Sequence, residues 1–83
     1  MATLLGRTRT LVLATIAKHQ GCSTKELAAR AGIAPPSASE HATILREAGL
    51  IHSLRQRNAV LHSLTSLGLA LLNSPEGGRA PQG

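Results

Sequence analysis

Closely spaced stop and start signals for helices, between residues 21 and 49, constrain this chain more than any other feature. Gly21 suits a left-handed helix terminus, and Ser23 with Glu26 three residues later matches a capping box that begins a new helix. Gly32 ends that helix after about two turns, since glycine readily takes the left-handed conformation. The spacing allows only short helices joined by a tight turn, which is a helix-turn-helix pattern.

The remaining pattern predicts four helices and two strands. The spacing of apolar residues and of capping residues places the helices at 4–19, 24–31, 35–48 and 66–73. Two short strands are expected at 50–55 and 59–64, joined by Gln56-Arg57-Asn58 with Asn58 in a left-handed conformation.

This order, α-α-α-β-β-α, predicts a mainly helical fold with a small β-hairpin, that is, a winged helix-turn-helix. One domain is expected over residues 1–73. Residues 74–83 contain proline and glycine without an apolar pattern, so we expect a disordered tail there.

Composition limits the core and the partner. Of 83 residues, 42% are hydrophobic and none is Phe, Tyr or Trp, so the core must be built from aliphatic side chains. Nine Lys and Arg against four Glu give a net charge of +5, which favours an anionic partner. The apolar runs are too short to cross a bilayer and no signal peptide is recognisable, so the cytoplasm is the expected location.

The segment from Gly32 to Ile51, GIAPPSASEHATILREAGLI, resembles the recognition segment of ArsR-type winged helix-turn-helix regulators, to which MarR-type repressors are related. The matching positions are Ser39, His41, Leu45, Gly49, Leu50 and Ile51. The resemblance implies a sequence-specific transcriptional regulator of double-stranded DNA, expected to be a repressor. The chain departs from the usual pattern at Glu40, at Ala42 where leucine is common, and at His62 where an aromatic residue is common.

A recognition helix reads the major groove with the outer face of its N-terminal half. In the helix at 35–48 that face carries Pro36, Ser37, Ser39, Glu40 and Thr43. Glu40 could accept a hydrogen bond from the N4 amino group of cytosine, or it could only stabilise the first helical turn. His41 is expected either at the DNA backbone or as a partly buried structural residue.

Basic residues flank this helix on both sides. Arg55, Arg57 and Asn58 lie at 55–58, at the tip of the predicted hairpin, which is the wing of the fold. We expect them to contact phosphates or an adjacent minor groove, although they could instead be only solvated side chains of the turn. Lys25 lies near a helix N-terminus, where a phosphate is also favoured.

One helix reads one half-site, so useful specificity predicts a two-fold homodimer. The candidate interface consists of Leu4, Leu11, Leu69 and Leu72, which could instead complete the small core.

Other site classes find little support in the sequence. The single cysteine, Cys22, excludes an intramolecular disulfide, though it could be an exposed redox-sensitive thiol. His52 and His62 would face each other across a three-residue hairpin loop, but two imidazoles do not complete a zinc site. We expect no metal, cofactor, small-molecule substrate, membrane association or enzymatic activity. The alternative function is a winged-helix module for protein interaction or dimerisation, without operator binding.

Overall fold

The computed structural model describes residues 6–73, which form four helices and a three-stranded antiparallel sheet. In chain order the elements are α1 (Arg7–Lys18), β1 (Cys22–Ser23), α2 (Thr24–Ala31), α3 (Pro35–Glu47), β2 (Ile51–Gln56), β3 (Ala59–Leu64) and α4 (Ser66–Asn73). The predicted fold class is confirmed, with one strand more than expected. The predicted start of the first helix at residue 4 and the predicted tail at 74–83 lie outside the described residues.

Aliphatic side chains from α1, α2 and α3 meet in one core. The side chains with no exposed surface are Val12, Leu13, Ile16, Leu27, Ala38 and Leu45. Each fully buried leucine or isoleucine stabilises the fold by about 1.5–3 kcal/mol relative to an exposed position. The helix α3 ends one residue before the predicted end at residue 48, and Ala48 forms its C-cap and is exposed.

The helix-turn-helix is held by the predicted capping box. The backbone N–H of Glu26 donates to Ser23 Oγ at 3.0 Å, and the backbone N–H of Ser23 donates to Glu26 Oε1 at 2.9 Å. Gly32 ends α2 in the left-handed conformation at φ +71°. Both ends of α2 are therefore fixed by local chemistry, and Gly32 at its C-terminal end begins the turn to α3.

The strand β1 was not predicted. It pairs with β3, placing Cys22 opposite His62 and Ser23 opposite Leu61, so the strand order is β1-β3-β2. The N–H of Gly21 also donates to the carbonyl of His62 at 2.7 Å. A two-residue strand shows no alternation of its own, and its pairing partner lies about 40 residues away.

The hairpin of β2 and β3, called the wing below, has a two-residue turn. Gln56 pairs with Ala59, and Arg57 rather than Asn58 has a positive φ, of 56°. The predicted three-residue loop with a left-handed Asn58 is therefore wrong.

The turn length also decides where the two wing histidines point. In the observed register His52 lies opposite Ser63, while His62 lies opposite Ser53. His52 is exposed and His62 is buried, so the predicted face-to-face pair of histidines does not form. A one-residue change of register moves a strand side chain to the other face of the sheet.

Thr65, directly before the predicted helix start at residue 66, caps α4. Its Oγ1 accepts from the N–H of Gly68 at 3.0 Å and donates to the carbonyl of Gly49 at 2.7 Å. Gly68 is buried against the backbone of Leu50, so α4 lies close to the start of the wing. Within residues 6–73, no helix is long and apolar enough to span a membrane.

Candidate nucleic-acid interface

A groove of about 540 Å³ lies between the helix-turn-helix and the wing. One wall is the N-terminal turn of α2, another is the N-terminal half of α3, and the third is the beginning of β3. Three of the predicted DNA-binding residues line it, one on each wall: Lys25, Ser39 and Asn58. The fold thus brings together side chains that lie 33 residues apart along the chain.

The outer face of α3 is exposed over its first two turns. Pro36, Ser39 and Glu40 are exposed, while Ser37 and Thr43 are half-buried. The hydroxyl of Thr43 donates to the carbonyl of Ser39 at 3.0 Å, so its oxygen is left to accept from a partner. Pro35 and Pro36 at the helix start lack backbone N–H groups, which leaves fewer donors there for an anion.

The tip of the wing presents a compact cationic segment. Arg55, Arg57 and Asn58 are all exposed, with Arg57 and Asn58 forming the two-residue turn. Arginine suits phosphate because its planar guanidinium donates two parallel hydrogen bonds.

His41 lies on the side of α3 that meets α1. Its Nδ1 accepts a long hydrogen bond, 3.4 Å, from Nε of Arg9. The ring is half-buried, which agrees with the structural alternative considered from the sequence. A DNA contact by His41 stays a prediction.

His62 is a central residue of this region that sequence reasoning did not assign. Its ring is 2% exposed, with Nε2 2.7 Å from Oγ1 of Thr24 and Nδ1 2.9 Å from Oγ of Ser53. Burial, and secondarily the positive charge of Arg46, lower the pKa of His62 below its ordinary value of 6.5. The departure from the usual aromatic residue at this position was the available signal.

Cys22 is buried, so the alternative of an exposed redox-sensitive thiol does not hold. Burial raises the pKa of the thiol, and the nearby carboxylate of Glu26 raises it further, which disfavours the reactive thiolate. Among residues 6–73 there is no group of three metal-ligating side chains that could hold an ion.

The predicted dimer leucines fall into different environments. Leu11 on α1 and Leu69 on α4 are 47% and 51% exposed, whereas Leu72 packs partly buried against the core. Leu67 on α4 is also exposed and was not predicted. Leu4 lies outside the described residues.

A helix-turn-helix whose second helix stands beside an arginine-bearing hairpin defines the winged helix-turn-helix class. The sequence model of the MarR family matches residues 5–58, well over half of the chain. The chain therefore belongs to the MarR family. The finer resemblance to ArsR-type regulators is not the one that this match supports.

Solved structures of transcriptional regulators share the fold. BpsR of Bordetella bronchiseptica superimposes with a TM-score of 0.78 at 21% identity, over 86% of this chain and 52% of its own. PcaV of Streptomyces coelicolor gives 0.70 at 23% identity, over 74% and 45%. ZitR of Lactococcus lactis, a zinc-responsive MarR family member, gives 0.66 at 27% identity, over 77% and 46%. The match thus spans about half the length of each of these proteins, and no curated protein matches this sequence significantly.

Proposed function

We propose that this chain is a sequence-specific transcriptional regulator that binds double-stranded DNA through α3 and the wing. The observation that carries the proposal is the groove with Ser39 of α3 on one wall and Asn58 of the wing on another. A major groove about 12 Å wide admits an α-helix, and the wing then lies over the adjacent backbone or minor groove. Membership of the MarR family supports this function.

Each part of the interface has a distinct task in this proposal. Lys25 binds a phosphate, and Arg55 and Arg57 bind the backbone or the minor groove, so they supply affinity for any sequence. Ser39 and Glu40 face base edges, and an acceptor such as Glu40 suits the amino group of cytosine.

We further infer that the regulator acts as a homodimer and as a repressor, in the cytoplasm. A two-fold dimer would place two recognition helices about 34 Å apart, one helical turn of DNA. The exposed Leu11 and Leu69 support an interface formed by α1 and α4, which pack against each other. A dimer seated on promoter DNA would block access to it, which is the expected mode of repression.

Responses to small molecules are described for the structural neighbours. PcaV was solved with its natural ligand, DNA binding by BpsR is regulated by 6-hydroxynicotinic acid, and ZitR is zinc-responsive. The sequence predicted no such partner for this chain. Adding 6-hydroxynicotinic acid or Zn²⁺ to a preformed DNA complex tests that expectation, because release of the DNA by either would contradict it.

DNA binding is tested by fluorescence anisotropy with labelled genomic fragments, including the DNA upstream of the gene, at low and moderate salt. We expect binding to one or a few fragments that resists competitor DNA and weakens steeply with salt. If no fragment binds better than random DNA, operator binding is wrong for this chain, and the protein-interaction alternative takes its place.

Replacing Arg55 and Arg57 by alanine should weaken binding to all duplexes and reduce the salt dependence. Loss of two phosphate contacts lowers the slope of log affinity against log salt by about 2, since each contact contributes roughly 0.9. The matched control is Lys18→Ala with Arg30→Ala, which removes the same charge from exposed positions that do not line the groove. An equal effect of both double variants would show that only net charge matters.

Replacing Glu40 by glutamine should have a different effect, because Glu40 is proposed to face base edges. Glu40→Gln should change which DNA sequence is preferred.

A further inference from the structure

We propose that His62 is a positioning residue that fixes the wing to the N-terminus of α2 and so sets where the wing meets DNA. The inference rests on the proposed DNA-binding function. It concerns a side chain that lies beneath the interface rather than on it.

The hydrogen bonds of His62 connect the two parts that enclose the groove. Nε2 bonds with the hydroxyl of Thr24, the first residue of α2, and Nδ1 bonds with the hydroxyl of Ser53 on β2. A neutral imidazole has one donor and one acceptor, and hydroxyl groups can match either. The bond with Ser53 therefore orients the ring, and the bond with Thr24 ties the wing to the helix-turn-helix.

Apart from these bonds, the wing is held by apolar contacts, by the short strand β1 and, at the base of β3, by the N–H of Leu64 donating to Oε1 of Gln20 at 2.8 Å. Apolar contacts are not directional, whereas two hydrogen bonds on one ring specify both its distance and its angle. A buried polar ring destabilises the protein unless it is hydrogen-bonded. If the position only had to be filled, an apolar residue would do so without that cost in stability. The arrangement favours a role in geometry over a role in stability alone.

Because His62 lies some distance from the tip of the wing, a small tilt of the wing at His62 causes a larger movement of the tip. Thr24 and Val60 both line the groove, and Val60 lies two residues before His62 on the same face of β3. From His62 to Asn58 the strand extends roughly 13 Å, so a tilt of about 5° moves the tip by roughly 1 Å. A displacement of that size is enough to lengthen a hydrogen bond to DNA beyond its useful range.

The test combines a measurement without DNA and a measurement with it. His62→Phe keeps a buried ring but removes both hydrogen bonds, and Thr24→Val removes only the bond to α2. The matched control is Ser63→Ala, which removes a hydroxyl from the other face of the same strand. Amide hydrogen exchange by NMR should become at least about tenfold faster in the wing for the first two variants, with the amides of α1 and α3 unchanged. Unchanged exchange in the wing would overturn the proposal.

A double-mutant cycle then tests the link to DNA. On a duplex selected by the wild-type protein, His62→Phe should weaken binding about tenfold, but by less than about twofold when Arg55 and Arg57 are already alanine. Equal weakening in both backgrounds, or no weakening by a folded His62→Phe protein, would overturn the proposed positioning of the DNA contact. If the wild-type protein selected no duplex, the proposed function would fail and the DNA part of this inference with it. The exchange measurement would still decide whether His62 holds the wing.

Discussion

His62 is a titratable side chain in a core that is otherwise almost wholly aliphatic, and its protonation is opposed by its surroundings. Burial is the main effect, and the positive charge of Arg46 adds to it, so the pKa of His62 lies below 6.5. Cys22, opposite His62 on β1, is also buried with a raised pKa, so it stays a neutral thiol at neutral pH. The folded protein therefore favours an uncharged imidazole.

This lowered pKa predicts that the protein loses stability in mild acid. The unfolded chain takes up a proton near pH 6.5, before the folded protein does, so the contribution of His62 is complete above that pH. It is lost as pH falls through the lower pKa of the folded state. The melting temperature of the wild-type protein, followed by circular dichroism from pH 7.5 to 5, should fall more steeply than that of His62→Phe. The other histidines are common to both proteins, so parallel curves would contradict the prediction.

The role of His62 could not be read from the sequence because it depends on turn length and on strand register. A three-residue loop predicted a histidine facing His52, whereas the two-residue turn at Arg57 directs the two rings to opposite faces. The environment of Cys22 likewise depends on its pairing with β3. Exposed polar residues of α3 such as Ser39 and Glu40 were placed correctly because helical periodicity alone decides their face.

Among the elements, α4 approaches the start of the wing closely at Gly68. Gly68 is buried, and a methyl group there would overlap the carbonyl oxygen of Leu50 and lie 3.0 Å from Cδ1 of Leu64. A helix interior normally favours alanine over glycine by about 1 kcal/mol. At Gly68 the packing opposes that preference.

We therefore expect Gly68→Ala to destabilise the protein although it raises helix propensity. Overpacking costs about 1–3 kcal/mol, and each kcal/mol lowers the melting temperature of a domain this size by roughly 4–8 °C. The control is Ala70→Gly, at an exposed position of the same helix, which should cost only about 1 kcal/mol through propensity. A rise in melting temperature for Gly68→Ala, measured by thermal denaturation, would show that α4 can shift away from Leu50 freely.

Elements defined by local chemistry were predicted well. The capping box at Ser23 and the start of α4 at residue 66, which Thr65 caps, depend on residues within three positions, and both are present where they were predicted. β1 was missed because two residues give no pattern, and the strand exists only through pairing with Leu61 and His62 of β3. Pairing between residues that lie far apart along the chain is therefore the part of this fold that the sequence pattern does not predict.

At the scale of the whole molecule, the exposed apolar side chains bear on whether two copies of the chain associate. The domain has only aliphatic side chains to build its small core, and even so Leu11, Leu67 and Leu69 are each about half exposed. These three lie on α1 and α4, which pack against each other. Exposing such side chains is unfavourable in water, and their burial against a second copy would stabilise a dimer. Such a dimer would also supply the second recognition helix on which the proposed sequence-specific DNA binding depends.

Replacing Leu11 and Leu69 by serine should shift the protein from dimer to monomer in sedimentation equilibrium. Loss of apolar burial on both sides of a two-fold interface counts twice, so we expect the dimer dissociation constant to rise by at least about tenfold. The control is Leu54→Ser, since Leu54 is 62% exposed but lies on β2 of the wing, outside α1 and α4. Binding to a duplex with two half-sites should weaken in the double variant, while binding to a single half-site should persist. If the wild-type protein were a monomer at concentrations where it binds DNA, the dimer prediction would be wrong, while the assignment of α3 and the wing to DNA would stand.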